Sequence, residues 1–193
     1  MAEFDPLSGP REPKAPGLAQ DEVALLLGAT ARIVEAELGA LGDGLAGWRP
    51  GPGEWCANEV VGHLVEADAR GYGGRIRRIL AAPPGTEPTE PGWDEPTVAA
   101  ARADCEKPAA ILVDELSASR RDAVELVLSL TQDDLGRGAI HAAVGRVTVA
   151  ELLQEWCTHD RLHLQQLLKS VQARAWPVMG NTRRFLRDEP PGD

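Results

Sequence analysis

Three of the chain's four histidines occupy positions at which they could bind one metal ion. His159 and His163 are four residues apart in a segment with helical periodicity, which places two imidazoles on one helix face, one turn apart. His63 lies near the start of a second such segment. A third imidazole from a separate helix would complete a set of three nitrogen ligands and leave the remaining coordination positions to water or substrate. The spacing therefore predicts a metal site formed by His63, His159 and His163.

The alternative for each of these residues is a hydrogen-bonded histidine of the protein core, and for His63 taken alone that interpretation is favoured. The other two rings continue the apolar seam of Leu152 and Trp156, so they are predicted to point inward. Two inward imidazoles are difficult to protonate, and each neutral ring needs a partner for both nitrogens. A metal ion would meet both requirements. Three histidine ligands suit Zn, Ni, Cu or Fe alike.

Four long segments with helical periodicity must position these side chains, and they predict an all-α four-helix bundle. They cover about 18–41, 57–80, 98–130 and 148–174, with a kink or restart of the third at Pro108.

The segments between the helices carry their own signals. Gly42-Asp43-Gly44 is expected to end the first helix, and Thr148 with Glu151 predicts a capping box at the start of the fourth. The proline-rich stretch 82–97 predicts a long crossover, and 140–147 could form a small hairpin. Residues 18–175 are assigned to the bundle, between a loosely packed lead-in over 1–17 and a C-terminal tail over 176–193.

Several further residues could serve the site if the second and fourth helices run antiparallel. Trp48, Trp55 and Trp176 could line its mouth, or could cap the bundle core. Three carboxylates could orient the imidazoles or act as a base, or could be ordinary surface residues: Glu59, Glu66 and Glu155. His141 lies in a connection and is predicted to be a surface residue.

The bulk composition excludes some functions. A formal net charge of −10 argues against binding to nucleic acid, which normally needs clustered basic residues. The one basic cluster is predicted to be a solvated helix face that pairs with acidic neighbours: Arg70, Arg75, Arg77 and Arg78.

The chain also carries few signs of a membrane or of an oxidising compartment. No apolar run reaches the roughly 20 residues of a membrane span, and the N-terminal residues lack the apolar stretch of a secretory signal. Cys56, Cys105 and Cys157 are odd in number and have no CxxC spacing, which favours reduced thiols and a cytoplasmic location.

The chain resembles the DinB/YfiT-like metalloenzyme family, in its DinB-like branch. The matching motifs are Trp55-Cys56-Ala57-Asn58-Glu59-Val60-Val61-Gly62-His63-Leu64, Val147-Thr148-Val149-Ala150-Glu151-Leu152-Leu153 and Thr158-His159-Asp160-Arg161-Leu162-His163-Leu164-Gln165-Gln166. The resemblance covers roughly 18–174. It implies an up-down-down-up bundle with long crossover loops and assigns His63, His159 and His163 as ligands, typically for nickel or zinc.

The chain departs from the family pattern at two positions. Cys56 replaces the usual Ser or Thr before the second helix, which predicts a weak cap. His159 stands where the related mycothiol-dependent maleylpyruvate isomerases carry a Glu ligand, which argues against isomerase activity.

The first functional hypothesis is a metal-dependent enzyme that activates a low-molecular-weight thiol for transfer to an electrophilic small-molecule substrate. A hydrolase would use the same ion to ionise water instead. A bundle without catalytic activity, in which the metal is structural or binds a small ligand, is a second class of protein. An interaction module is a third, and the resemblance also implies a possible homodimer.

Overall fold

The computed structural model describes residues 16–90 and 92–186 of the chain, so most of the predicted lead-in and the last residues of the tail lie outside the described residues. The described part is mostly helical. Its elements are α1 (Gln20–Ala46), α2 (Ala57–Glu66), a π-helical segment (Ala67–Tyr72), α3 (Gly73–Ala81), β1 (Thr89–Glu90), α4 (Glu95–Arg102), a 3₁₀ turn (Asp104–Glu106), α5 (Ala109–Ser129), α6 (Gln132–Gly136), β2 (Gly138–His141), β3 (Gly145–Thr148), α7 (Val149–Ala175) and two 3₁₀ segments (Trp176–Val178 and Gly180–Leu186).

The core consists of two hydrophobic clusters, and their order along each helix gives the topology of the bundle. The first cluster contains Val23, Leu27, Ile76, Ile79, Ala123, Val127, Leu152 and Trp156, and the second contains Val34, Leu38, Val60, Leu64, Leu112, Leu116, Leu164 and Leu167. Along α1 and α7 the chain passes from the first cluster to the second. Along α2–α3 and along α5 it passes in the reverse direction. The predicted up-down-down-up four-helix bundle is therefore confirmed.

A buried polar layer separates the two clusters. Asp68 on the π-helical segment, Arg120 on α5 and Asp160 on α7 are each less than 5% exposed. Arg120 Nη2 donates a hydrogen bond to Asp160 Oδ1 at 2.8 Å, and its Nε lies 3.2 Å from Asp68 Oδ2. Thr30 of α1 donates to the other oxygen of Asp160. One network of ion pairs and hydrogen bonds thus joins all four long helices between the two clusters.

Two predicted helix boundaries differ from the structure at glycines. The first helix does not end at Gly42: it kinks there, where φ is 60°, and continues to Ala46. A glycine adopts this left-handed backbone without a Cβ clash. The second predicted helix is continuous, but its middle turn is π-helical from Ala67 to Tyr72. Such single-turn π segments are rare and frequently occur at functional sites.

The crossover between the second and third long helices carries more structure than the proline content suggested. It contains β1 and α4, and β1 pairs in parallel with β2 of the predicted hairpin. β2 and β3 pair antiparallel, which confirms that hairpin. The restart at Pro108 is also confirmed, because this residue is the N-cap of α5. The crossover and the hairpin therefore form one small three-stranded sheet beside the bundle.

The prediction of three reduced thiols was wrong. Cys56 and Cys105 form a disulfide across 49 residues of sequence, and Cys157 is a buried free thiol. Counting cysteines missed the pair because the crossover returns Cys105 to the start of α2. The Cys56 sulfur still accepts a hydrogen bond from the Glu59 amide, so it caps this helix. The cytoplasmic location stays a prediction, and three reduced thiols no longer support it. Within the described residues, none of the helices is apolar over a length sufficient to cross a bilayer.

Candidate metal centre

The structure brings the three predicted histidines together. His63 comes from α2 and the other two come from the facing side of α7. His63 Nε2 lies 2.9 Å from His159 Nε2, and the His163 ring centroid is 4.4 Å from each of the other two ring centroids. One ligand-type nitrogen from each residue lies within 4.8 Å of those of the other two. The arrangement can hold one metal ion between two antiparallel helices.

The surroundings keep these imidazoles neutral. Burial, together with the neighbouring His163, lowers the pKa of His63 to about 4. Burial and the other two rings of the triad lower the pKa of His159 to about 3, and burial also lowers the pKa of His163. Unprotonated nitrogens are the form that binds a transition metal. The donor set of the triad therefore fits a divalent transition-metal ion.

Gln166 orients one ring of the triad, and the sequence reasoning did not single it out. His163 Nδ1 and Gln166 Oε1 are 2.8 Å apart, and a carbonyl oxygen can only accept. Nδ1 of His163 therefore carries the hydrogen, and its Nε2 keeps the free lone pair. Hydrogen bonds of this kind fix the tautomer of metal-ligating histidines. The signal was available, because a residue three positions after His163 lies on the same helix face.

Aromatic rings enclose the triad on several sides. Trp55, predicted to line the site, lies 5.1 Å from the His63 ring and 6.3 Å from the His163 ring between centroids. Trp93 stacks on His63 at 5.8 Å, and Tyr72 meets His159 edge-on at 5.3 Å. Neither was singled out from the sequence, because Trp93 lies in the crossover and Tyr72 is the last residue of the π-helical segment.

The other two tryptophans that were predicted to line the site, Trp48 and Trp176, lie elsewhere. Trp48 lies under the guanidinium of Arg174, and Trp176 lies near Arg183. Neither is among the residues that line the pocket beside the triad.

The three predicted carboxylates have different surroundings. Glu59 accepts a hydrogen bond from the Cys56 amide and pairs with Arg49, so it stabilises the start of α2. Glu66 pairs with Arg70 and Arg102. Both carboxylates thus have basic or backbone partners that do not belong to the triad. Glu155 is exposed and lines the pocket beside His159.

A pocket of about 310 Å³ opens to the outside at His159, the member of the triad that lines it. It lies between the π-helical segment, α3, the crossover, the β2–β3 hairpin and α7. Its polar and aromatic lining comprises Tyr72, Arg75, Trp93, Glu95, His141, Glu155 and His159. His141, predicted to be a surface residue, is half-buried and lines this pocket. Its Nδ1 accepts a hydrogen bond from the Ala143 amide at 3.2 Å, so Nε2 carries the hydrogen.

A second group with metal-ligand chemistry lies at the start of α2. Cys56, Glu59 and Cys105 bring two sulfurs and a carboxylate together. The two sulfurs are bonded to each other, and Glu59 is already hydrogen-bonded. This group is therefore part of the helix cap in the disulfide form of the protein.

The low pKa values of the triad predict acid sensitivity of the metal-free protein. A histidine whose pKa falls on folding binds its proton more weakly in the folded chain, so acidification below pH 6.5 protonates the unfolded chain first. Asp68 acts in the opposite direction, because burial raises its pKa to about 6. Three histidines outweigh one aspartate, and we expect the free energy of unfolding to fall by roughly 2–4 kcal/mol between pH 6.5 and 5.

Urea denaturation of chelator-treated protein at several pH values measures this loss. His159→Asn should lose part of the pH dependence, since one of the depressed groups is then missing. If the free energy of unfolding changed with pH equally in the variant and the wild type, or changed in neither, the effect could not be assigned to the triad.

A four-helix bundle with three converging neutral imidazoles, one of them in the lining of an open pocket, defines a candidate metalloprotein. The family model of the DinB superfamily matches residues 26–167, and the chain belongs to this superfamily. The structure is similar to that of YfiT from Bacillus subtilis, with a TM-score of 0.71 and 16% sequence identity over 88% of this chain and 97% of that one. YfiT is described as a probable metal-dependent hydrolase with an unusual four-helix bundle topology. No curated protein matches the chain.

Proposed function

We propose that the protein is a metal-dependent hydrolase of small molecules, with His63, His159 and His163 as the metal ligands. The observation that carries this proposal is the convergence of three neutral imidazoles, one of which, His159, lines an open pocket. A closed structural site would have all its coordination positions filled by protein, whereas three ligands beside a pocket leave room for a substrate.

The residues around the triad have separate tasks in this proposal. Gln166 accepts a hydrogen bond from His163 Nδ1, which leaves Nε2 of that ring free to bind the metal. Trp55 and Trp93 cover the triad with aromatic surface and keep bulk water from these sides. A bound divalent cation supplies Lewis-acid chemistry, which polarises a carbonyl group and provides a nucleophile at neutral pH.

Carboxylates in the lining of the pocket are the groups that transfer protons in this proposal. Glu155 and Glu95 are both exposed and both line the pocket. Neither forms an ion pair with another described residue, so both are available to accept a proton from the attacking group. His141, with its hydrogen on Nε2, supplies a donor in the lining of the same pocket.

Hydrolysis is proposed ahead of thiol transfer because the description of YfiT supports it at the level of the fold, and nothing in the comparisons supports a thiol co-substrate. Thiol transfer stays a prediction, as do a homodimer and the identity of the metal as zinc or nickel.

The deciding experiment is an assay of untagged protein loaded with Zn²⁺ or Ni²⁺ against 4-nitrophenyl esters and anilides, with and without a low-molecular-weight thiol. We expect cleavage that needs the metal, stops on chelation and requires no thiol. Activity that appears only with thiol would replace hydrolysis by transfer. Stoichiometric metal without any cleavage would favour a bundle that binds a metal but does not catalyse.

A further inference from the structure

Arg75 holds a positive charge in the wall of the pocket without a matching partner. Only 11% of its side chain is exposed, and its buried Nε has no hydrogen-bond partner. An unsatisfied buried donor is costly and needs an explanation, especially on a charged group. The predicted solvated face of four arginines is thus wrong for this residue, although Arg77 and Arg78 are exposed on the same helix.

The nearest acid does not neutralise Arg75, because another arginine already binds it. Arg78 Nε donates to both oxygens of Glu90 at 3.0 Å, and its Nη2 lies 2.5 Å from Oε2. Arg75 Nε lies 3.9 Å from the same oxygen, beyond hydrogen-bonding distance. Two guanidinium groups therefore share one buried carboxylate, so Glu90 balances only one of the two positive charges.

The surplus charge lies in the same pocket as the metal centre. Arg75 and His159 both line it, and the Tyr72 ring, 5.3 Å from that of His159, belongs to the wall between α3 and α7. A small molecule in this pocket can therefore be in contact with His159 of the triad and with Arg75 at once.

We propose that Arg75 binds a carboxylate group of the substrate, so that the preferred substrates are esters or amides of small molecules with a free carboxylate. This inference rests on the proposed hydrolase function. The planar fork of a guanidinium matches the two oxygens of a carboxylate. A carboxylate brings one negative charge into a lining that already holds Glu95 and Glu155, whereas a phosphate brings nearly two, so the carboxylate is the better match.

A binding experiment tests the carboxylate site independently of any catalytic activity. N-acetylglycine and its uncharged amide, N-acetylglycinamide, can be titrated into the full chain while the Arg75 Nε–H signal is followed by NMR, with Arg75→Lys used to assign that signal. We expect the carboxylate to shift the signal and to bind about 10–100-fold more tightly than the amide. Equal binding of the two compounds, or binding that leaves the Arg75 signal in place, would overturn the proposal.

Substrate preference gives the second readout, with 4-nitrophenyl hydrogen glutarate compared with the uncharged 4-nitrophenyl butyrate. We expect Arg75→Met to lower kcat/KM for the glutarate ester about 10–100-fold more than for the butyrate ester, mainly through KM. Arg77→Met, an exposed arginine of the same helix, is the matched control and should leave the ratio unchanged. Equal losses for both esters in Arg75→Met would overturn the proposal.

The two hypotheses fail in distinguishable ways. If wild-type protein cleaves neither ester but binds N-acetylglycine at Arg75, the hydrolase function is wrong and the carboxylate site stands. If it cleaves the butyrate ester and binds both N-acetyl compounds equally, the carboxylate site is wrong and the hydrolase function stands.

Discussion

Alanine in place of His159 is expected to abolish stoichiometric binding of a divalent metal ion. Its Nε2 lies 2.9 Å from that of His63, and of the three histidines it is the one that lines the pocket. Loss of a hydrogen-bond partner of a metal-ligating histidine already costs 10–100-fold in affinity, so loss of a ligand should cost more than about 100-fold. Metal analysis of protein purified without a nickel affinity tag, and calorimetric titration with Zn²⁺, measure the effect.

Two further variants make this result specific. His141→Ala removes an imidazole from the same pocket but not from the triad, and it should keep one equivalent of metal. Gln166→Ala should weaken binding about 10–100-fold, since the His163 ring loses its hydrogen-bond acceptor. Wild-type affinity in His159→Ala, or loss of metal in His141→Ala to the same extent, would show that the ion is bound elsewhere.

Replacement of Arg120 by methionine is expected to destabilise the fold by about 3–5 kcal/mol. Arg120 is 2% exposed and lies between Asp68 and Asp160, which are themselves buried. Methionine can fill much of the space, but it leaves two carboxylates facing each other without a cation. Chemical denaturation at pH 7.5 measures the loss.

A change of pH separates this electrostatic cost from a loss of packing. Burial raises the pKa of Asp68 to about 6 and Arg120 lowers it, so without Arg120 this pKa should rise further. The folded variant then takes up a proton as the pH falls and recovers stability relative to wild type near pH 5. Arg121→Met, at an exposed position next along α5, is the control and should stay within about 0.5 kcal/mol of wild type. A constant difference between variant and wild type at all pH values would contradict the assigned network.

Local sequence patterns were sufficient for the main architecture and for the triad itself. Periodic apolar residues predicted the long helices, and the spacing of His159 and His163 on one helix face made their proximity certain once that helix formed. His63 could be assigned to the same site because, in two antiparallel helices, it lies at nearly the same level along the bundle axis as His159 and His163. The cap of α7 was equally local: Thr148 and Glu151 bond to each other's backbone amides, as predicted.

The residues that surround the triad were much less accessible to prediction. Trp93, Glu95, His141 and Arg75 were missed or wrongly placed, and three of them come from the crossover or the hairpin. These segments have no long periodic pattern, and their path depends on pairing between β1 and β2, which are about 50 residues apart. The disulfide of Cys56 and Cys105 follows from the same path.

The sequence by itself therefore determined the helices, their inward faces and a histidine pair on one of them, because each depends on contacts within a few turns of one helix. Only the tertiary structure decided what stands around the pair: the charge of Arg75 in a pocket wall, the ring of Trp93 on His63, and the polar layer around Arg120. Those contacts join segments distant along the chain, and their energies depend on burial and on the partners present after folding.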